Sequence, residues 1–135
     1  MTFTLEIIDG PTFYQEVYDN ELRDKIKYLS HGSFHVGQEI NIVCRSGRQV
    51  AGVAGLWPNP YDSRIVWMPF LTVVEEFRNQ KVATMLARAV AEYVVGKGQS
   101  LGVSSYTPDG LKYLAKVFDR LKSEPNFAGR IVKAE

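Results

Sequence analysis

Apolar residues change their spacing several times along this chain, and each change marks an element. Phe3, Leu5 and Ile7 alternate with polar neighbours, the two-residue period of a half-buried strand. Asp9-Gly10-Pro11 stops that strand and suits a helix start, with proline at the first helical position. Phe13, Val17, Tyr18, Leu22, Ile26 and Leu29 then recur at three- and four-residue steps, which predicts a helix over residues 12–29. Residues 30–38 carry two glycines and few apolar side chains, a loop composition. Beyond it Ile40, Ile42 and Cys44 alternate, Ser46-Gly47-Arg48 turns the chain, and Val50 to Trp57 returns as the second arm of a hairpin.

Pro58-Asn59-Pro60-Tyr61-Asp62 reads as the next turn, and Arg64 to Val74 as the longest strand. Pro69 lies inside that run. It has no N–H to give a ladder, so it predicts a bulge or a strand unpaired on one side. Over residues 80–95 the apolar stripe Val82, Met85, Leu86, Ala89, Val90, Tyr93 and Val94 predicts a helix that ends at Gly96 and Gly98. Ser100 to Tyr106 reads as a strand. Thr107 caps a helix starting at Pro108, with Leu111, Leu114, Phe118 and Leu121 as its buried row, and Phe127 to Val132 is a last strand. The order β-α-β-β-β-α-β-α-β predicts an α/β fold: a mixed, mostly antiparallel central sheet with helices on both faces. Neither a repeat nor a linker interrupts the 135 residues, so one domain over 1–135 is expected.

Composition narrows the function classes. Sixteen Lys and Arg stand against 15 Asp and Glu, a formal net charge of +1. That balance argues against nucleic acid or an anionic membrane as partner, since both favour a basic excess. No apolar run approaches bilayer length, and the N-terminal residues lack the basic-then-apolar pattern of a secretion signal. With a single cysteine, Cys44, the expected location is the cytoplasm. Cys44 sits in a strand pattern and reads as a small buried apolar residue, with no neighbour to activate a thiolate.

The stretch Leu71-Thr72-Val73-Val74-Glu75-Glu76-Phe77-Arg78-Asn79-Gln80-Lys81-Val82-Ala83 joins a strand, a polar turn and a helix start. The first N–H groups of a helix have no internal partners, so an anion is stabilised there. Arg78 and Lys81 add positive charge, and the small Ala83 permits close approach. The segment resembles the acetyl-CoA signature of the GNAT acetyltransferase superfamily, a strand with a closing valine followed by aromatic-Arg-x-x-Gly-x-Gly/Ala. Val73, Phe77-Arg78 and Ala83 match it, and Phe118-Asp119-Arg120-Leu121 resembles a Tyr-Glu-Lys-Leu run in the family's last helix.

The resemblance implies a use for each matching position. Backbone groups of Arg78, Asn79, Gln80, Lys81, Val82, Ala83 and Thr84 would bind the CoA pyrophosphate. The main chain of Leu71 and Val73 would pair with pantetheine as a pseudo-strand, which needs the strands around Val73 and Gly102 to splay. Phe118 would lie by the thioester. Acetyl-CoA is then the co-substrate, a small-molecule or peptide amine the acceptor, and no metal is needed. Dimers are frequent in such proteins, so a homodimer is a further implication. The chain also departs from the pattern. Lys81 stands where the signature has Gly, Phe118 where many members have an acidic Tyr, and Trp67 where some have a Glu base. These departures are the grounds for a second reading, a non-catalytic acyl-CoA-binding or protein-interaction module.

His31 and His35 occupy the loop that resembles the acceptor-binding loop. They read either as a general base or as two exposed histidines; without clustered carboxylates they do not make a metal site. Tyr106, or else Tyr113, could supply the proton that Phe118 cannot. Trp57, Tyr61, Trp67 and Phe70 crowd one hairpin and could wall an acceptor pocket or simply pack a small sheet.

Overall fold

The protein is described from a computed structural model covering residues 2–22, 40–103 and 108–133. The elements are β1 (Phe3–Asp9), α1 (Gly10–Thr12) running on as a π-helix (Phe13–Leu22), β2 (Ile40–Ser46) and β3 (Gln49–Pro58). After these come β4 (Ile65–Val73), a 3-10 turn (Glu75–Phe77), α2 (Val82–Gly96), β5 (Ser100–Val103), α3 (Pro108–Lys122) and β6 (Ile131–Lys133). Six strands form one sheet in the order β1-β2-β3-β4-β5-β6. The first three pairs are antiparallel, and β4–β5 and β5–β6 are parallel. This is the mixed α/β architecture that the element order predicts.

Local chemistry sets the joints. The Asp9 carboxylate accepts from the Thr12 amide (2.8 Å), capping the first helical turn just where Pro11 can enter without losing a hydrogen bond. That cap holds the Asp9 carboxyl below the usual carboxylate range. Between β3 and β4 the Asn59 side chain accepts from the amides of Tyr61 (2.8 Å) and Asp62 (3.2 Å), an Asx turn. The helix expected over 12–29 is observed as the α1 turn plus the π-helix; residues 23–29 lie outside the described ones. Within the wider turns the Asn20 amide donates to the carbonyls of Gln15 and Glu16. Phe13, Val17, Tyr18 and Leu22 are buried, as their spacing requires.

Helices cover both faces. On one, α2 lies over the sheet because Gly52 has no side chain: a Cβ there would come within 3.0 Å of Val82 and Leu86 and 2.9 Å of the Thr72 carbonyl. Its buried row is Val82, Leu86, Ala87, Val90, Ala91 and Val94, and each large side chain so covered is worth roughly 1.5–3 kcal/mol. α3 packs beside α2, with the Arg88 guanidinium gripping the Glu124 carboxylate through both nitrogens. On the other face the π-helix is tied down by Glu21, which accepts from Arg45 (3.4 Å) and from the Val50 amide (3.3 Å).

Two expectations change. β1 is regular, but Leu5 and Ile7 are 47% and 56% exposed, so the strand is not half-buried on that face. β1 is the edge strand; of the three alternating residues, only Phe3 finds cover, edge-on to Phe77. The last strand is also shorter than Phe127–Val132: residues 123–130 form turns, and only Ile131–Lys133 joins the sheet.

Candidate active site

The site is built where β4 leaves the sheet. Between the pairs Gly55↔Phe70 and Trp57↔Trp67, β3 has one residue, Leu56, and β4 has two, Met68 and Pro69. This is the bulge that the proline predicts, and it bends β4. On the other side β4 pairs with β5 only from Ile65↔Ser100 to Met68↔Val103. Pro69 has no N–H to offer a ladder, and beyond Met68 no described residue pairs with that edge of β4.

The direction of the freed groups follows from the ladder. The Val74 amide donates to the Ala51 carbonyl (2.8 Å), so Val74 faces β3. Main-chain groups along an antiparallel strand alternate sides, so Leu71 and Val73 present N–H and C=O to the open edge. These are the two residues that the resemblance implies for pairing with an extended ligand.

The open edge leads into the turn before α2. Asn79 and Lys81 both have positive φ, 66° and 65°, the left-handed region. Asn tolerates it; Lys does so only at a cost. Lys81 is the position of the signature glycine, and the chain keeps a glycine-like backbone without the glycine. α2 has no side-chain cap and no acidic residue in its first turn. The Met85 amide, bonded to the Lys81 carbonyl (3.0 Å), is the first to find an intrahelical partner. The amides of Val82, Ala83 and Thr84 therefore form an uncompensated positive pole.

Around it Arg78, Asn79, Gln80, Lys81 and Thr84 are exposed and Ala83 is half-buried. Val82 is buried in the core, so only its main chain is available. Gln80 folds back to donate to the Glu76 carbonyl (3.3 Å). Donors, small side chain and open strand edge together fit a long ligand with a phosphate end, as an acyl-CoA is.

Other sequence candidates are placed as follows. His31, His35 and Tyr106 lie outside the described residues, as does the side chain of Tyr113. Phe118 is 1% exposed and belongs to the core. Cys44 is fully buried, and burial pushes its thiol pKa up, which leaves it inert. Trp57 and Trp67 meet edge to face across β3 and β4, with centroids 6.2 Å apart. Two glycines that the sequence reading passed over, Gly52 and Gly55, prove to be contact points; their signal was glycine inside a strand run. Asn41 was missed too: it is fully buried in β2.

The sequence matches the Acetyltransferase (GNAT) family over residues 4–116, most of its length. The chain belongs to this family. Among curated proteins none matches this GNAT chain. Solved structures similar to it include an IAA acetyltransferase from Bacillus cereus (19% identity, TM-score 0.66, 89% of this chain and 75% of that one). AAC(6')-Iy in complex with the bisubstrate analog CoA-S-monomethyl-acetylneamine is similar at 17% identity and TM-score 0.63, with 93% of each chain covered. A ribosomal-protein-alanine N-acetyltransferase from Brucella melitensis gives 13% identity and TM-score 0.63, over 86% of this chain and 90% of that one. At these identities the likeness establishes a shared fold. The protein is thus a GNAT-fold acetyltransferase. No helix among the described residues is long and apolar enough to cross a membrane.

Proposed function

We propose that this acetyltransferase moves the acetyl group of acetyl-CoA to the primary amine of a small molecule or peptide. The observation that carries the reading is the continuity between the edge of β4 at Leu71 and Val73, unpaired among the described residues, and the uncapped start of α2. A similar structure holding a CoA bisubstrate analog supports the choice of donor. The donor supplies a thioester, whose carbonyl carbon is open to attack by a neutral amine.

In this reading the amides of Val82, Ala83 and Thr84 bind the pyrophosphate, with Arg78 and Lys81 adding charge and Asn79 and Gln80 shaping the turn. Leu71 and Val73 hold the pantetheine amides as a neighbouring strand would. The Val73 N–H donates to the thioester oxygen as negative charge grows there. The acceptor ammonium first loses a proton to His31, His35 or a water. Its nitrogen then bonds to the carbonyl carbon and becomes cationic, the C–S bond breaks, and the departing thiolate takes a proton from Tyr106. The surplus proton on the nitrogen returns Tyr106 to its neutral form. Positioning does most of this work, so a missing fixed acid at Phe118 is tolerable.

The test is thiol release from acetyl-CoA over a panel of amines, amino sugars and peptides, with a thermal melt in CoA alongside. Saturable thiol release with one amine class and a rise in melting midpoint with CoA are expected. A midpoint unmoved by CoA would overturn the donor site; a CoA shift with no thiol release would leave binding without transfer.

A further inference from the structure

The sheet face carrying the π-helix holds a patch that the donor site does not use. The register sets Asn41, Gly55 and Phe70 side by side across β2, β3 and β4. Two residues further along β3, Trp57 stands opposite Trp67. The Phe70 ring lies directly on Gly55, where a Cβ would come within 2.3 Å of it. The result is an aromatic floor beside the bulge at Met68 and Pro69, where the β4–β5 pairing among the described residues ends.

Three polar atoms are buried in this floor without a hydrogen-bond partner: Asn41 Oδ1, Asn41 Nδ2 and Trp67 Nε1. Asn41 is 0% exposed. Leaving a buried amide unpaired is costly, and such groups are few in native proteins. Finding two such side chains on one face points to a ligand that supplies what they lack. The Asn41 amide can both donate and accept, the Trp67 indole only donate. Two strand spacings, roughly 10 Å, separate β2 from β4, so a molecule one or two rings long reaches both.

We propose that Asn41 and Trp67 are hydrogen-bonding contacts of the acceptor, and that this patch selects a monoamine with a flat aromatic or apolar body. The placement rests on the acetyl-transfer reading above, because it is the thioester end of the open β4 edge that makes this the acceptor side. Indole faces attract a single ammonium, whereas Asn41, Trp57, Trp67 and Phe70 offer no formal negative charge to a polycation. Among the described residues, Glu6 and Glu21 are engaged with Arg45, and Asp62 with Arg64.

With only two tryptophans in the chain, two indole N–H resonances report on the site in ¹⁵N-labelled protein, and Trp57→Phe assigns them. Tryptamine, added with CoA present, is expected to move the Trp67 resonance saturably; kanamycin, a polycationic amino sugar, is not. Asn41→Leu is expected to raise the melting midpoint, since it removes an unpaired amide, while weakening tryptamine about tenfold, the worth of one hydrogen bond. Trp67→Phe keeps a ring and loses the donor, so it weakens tryptamine likewise. Both variants should keep the full melting shift with CoA. A Trp67 resonance unmoved by tryptamine, unchanged tryptamine affinity in both variants, or tighter binding of kanamycin would overturn the proposal. Loss of the CoA shift in the unmodified protein would instead strike the donor reading, and the two failures are told apart by which probe falls silent.

Discussion

Lys81→Gly should make the unliganded protein more stable. Lys81 has φ 65° and ψ 18°, and a side chain in that region costs roughly 1–2 kcal/mol through the clash of Cβ with the following carbonyl. Glycine removes the clash but gives the unfolded chain more freedom, which takes back roughly 0.5–1 kcal/mol. The Lys81 side chain is exposed and without an ion-pair partner among the described residues, so little packing or charge energy is lost. The net gain is about 0.5–1 kcal/mol. For 135 residues the unfolding entropy is about 0.28 kcal/mol per kelvin at the midpoint, so the melting midpoint should rise by about 2–4 °C. Lys81→Ala is the control, because it removes the same charge and keeps the left-handed strain. Calorimetry of the three proteins at one salt concentration decides it. If glycine and alanine give the same midpoint, the backbone before α2 is not left-handed, and the cradle described above is not the one the protein builds.

Three other outcomes are expected. Ala83→Asp should abolish the melting shift given by CoA, about 8–10 °C at a hundred times the dissociation constant for the unmodified protein, with little loss of stability, since a carboxylate in a first helical turn is favourable. Gly55→Ala should destabilise the protein by about 1–3 kcal/mol in urea unfolding by driving a methyl into the Phe70 ring, and Phe70→Leu in the same chain should recover part of that. Asp9, Asp62 and Glu124 are held below the usual carboxylate range by the Thr12 amide, Arg64 and Arg88. Their contribution is complete above the unfolded-state values near pH ~4 and is lost as the pH falls through the depressed folded values, so urea midpoints should drop only below about pH 4, less steeply in Glu124→Gln.

Most of the fold was legible because period follows burial. The α2 stripe from Val82 to Val94 and the hairpin around Gly47 appear where their patterns put them, and Pro69 announced its bulge through a missing N–H. Where the reading failed, a local pattern met a tertiary fact. Leu5 and Ile7 alternate correctly, yet no period reports that β1 is the edge strand. Asn41 falls between Ile40 and Ile42, on the polar side of an alternating pattern, yet it is fully buried, which no period reports. The spacing of Phe13, Val17, Tyr18 and Leu22 serves an α- and a π-helix alike, so it could not choose between them. Lys81 showed that a signature glycine was missing, while whether the backbone had changed with it depended on a dihedral angle that side-chain type does not set.

The proposed donor site leaves no mark on composition for a physical reason. A cleft that holds an anion with Lys and Arg leaves a mark on net charge; this chain carries +1. Its positive pole is made of main-chain amides at the start of α2, which every sequence has, and what distinguishes this place is what is absent from it: no capping side chain and no acid in the first turn. Three residues far apart in sequence produce that geometry. Gly52 lets α2 settle on β3, Pro69 bulges β4 beside the last described β4–β5 pair, and Lys81 accepts a strained angle at the helix entrance. None of them is a catalytic type of residue, and none needs to touch the reacting atoms. Substituting them changes where backbone groups point, and it is those directions that the chemistry uses. A search of this chain for nucleophiles and bases therefore looks past the proposed donor site, whereas a search for the places where backbone groups are left without regular partners leads to it.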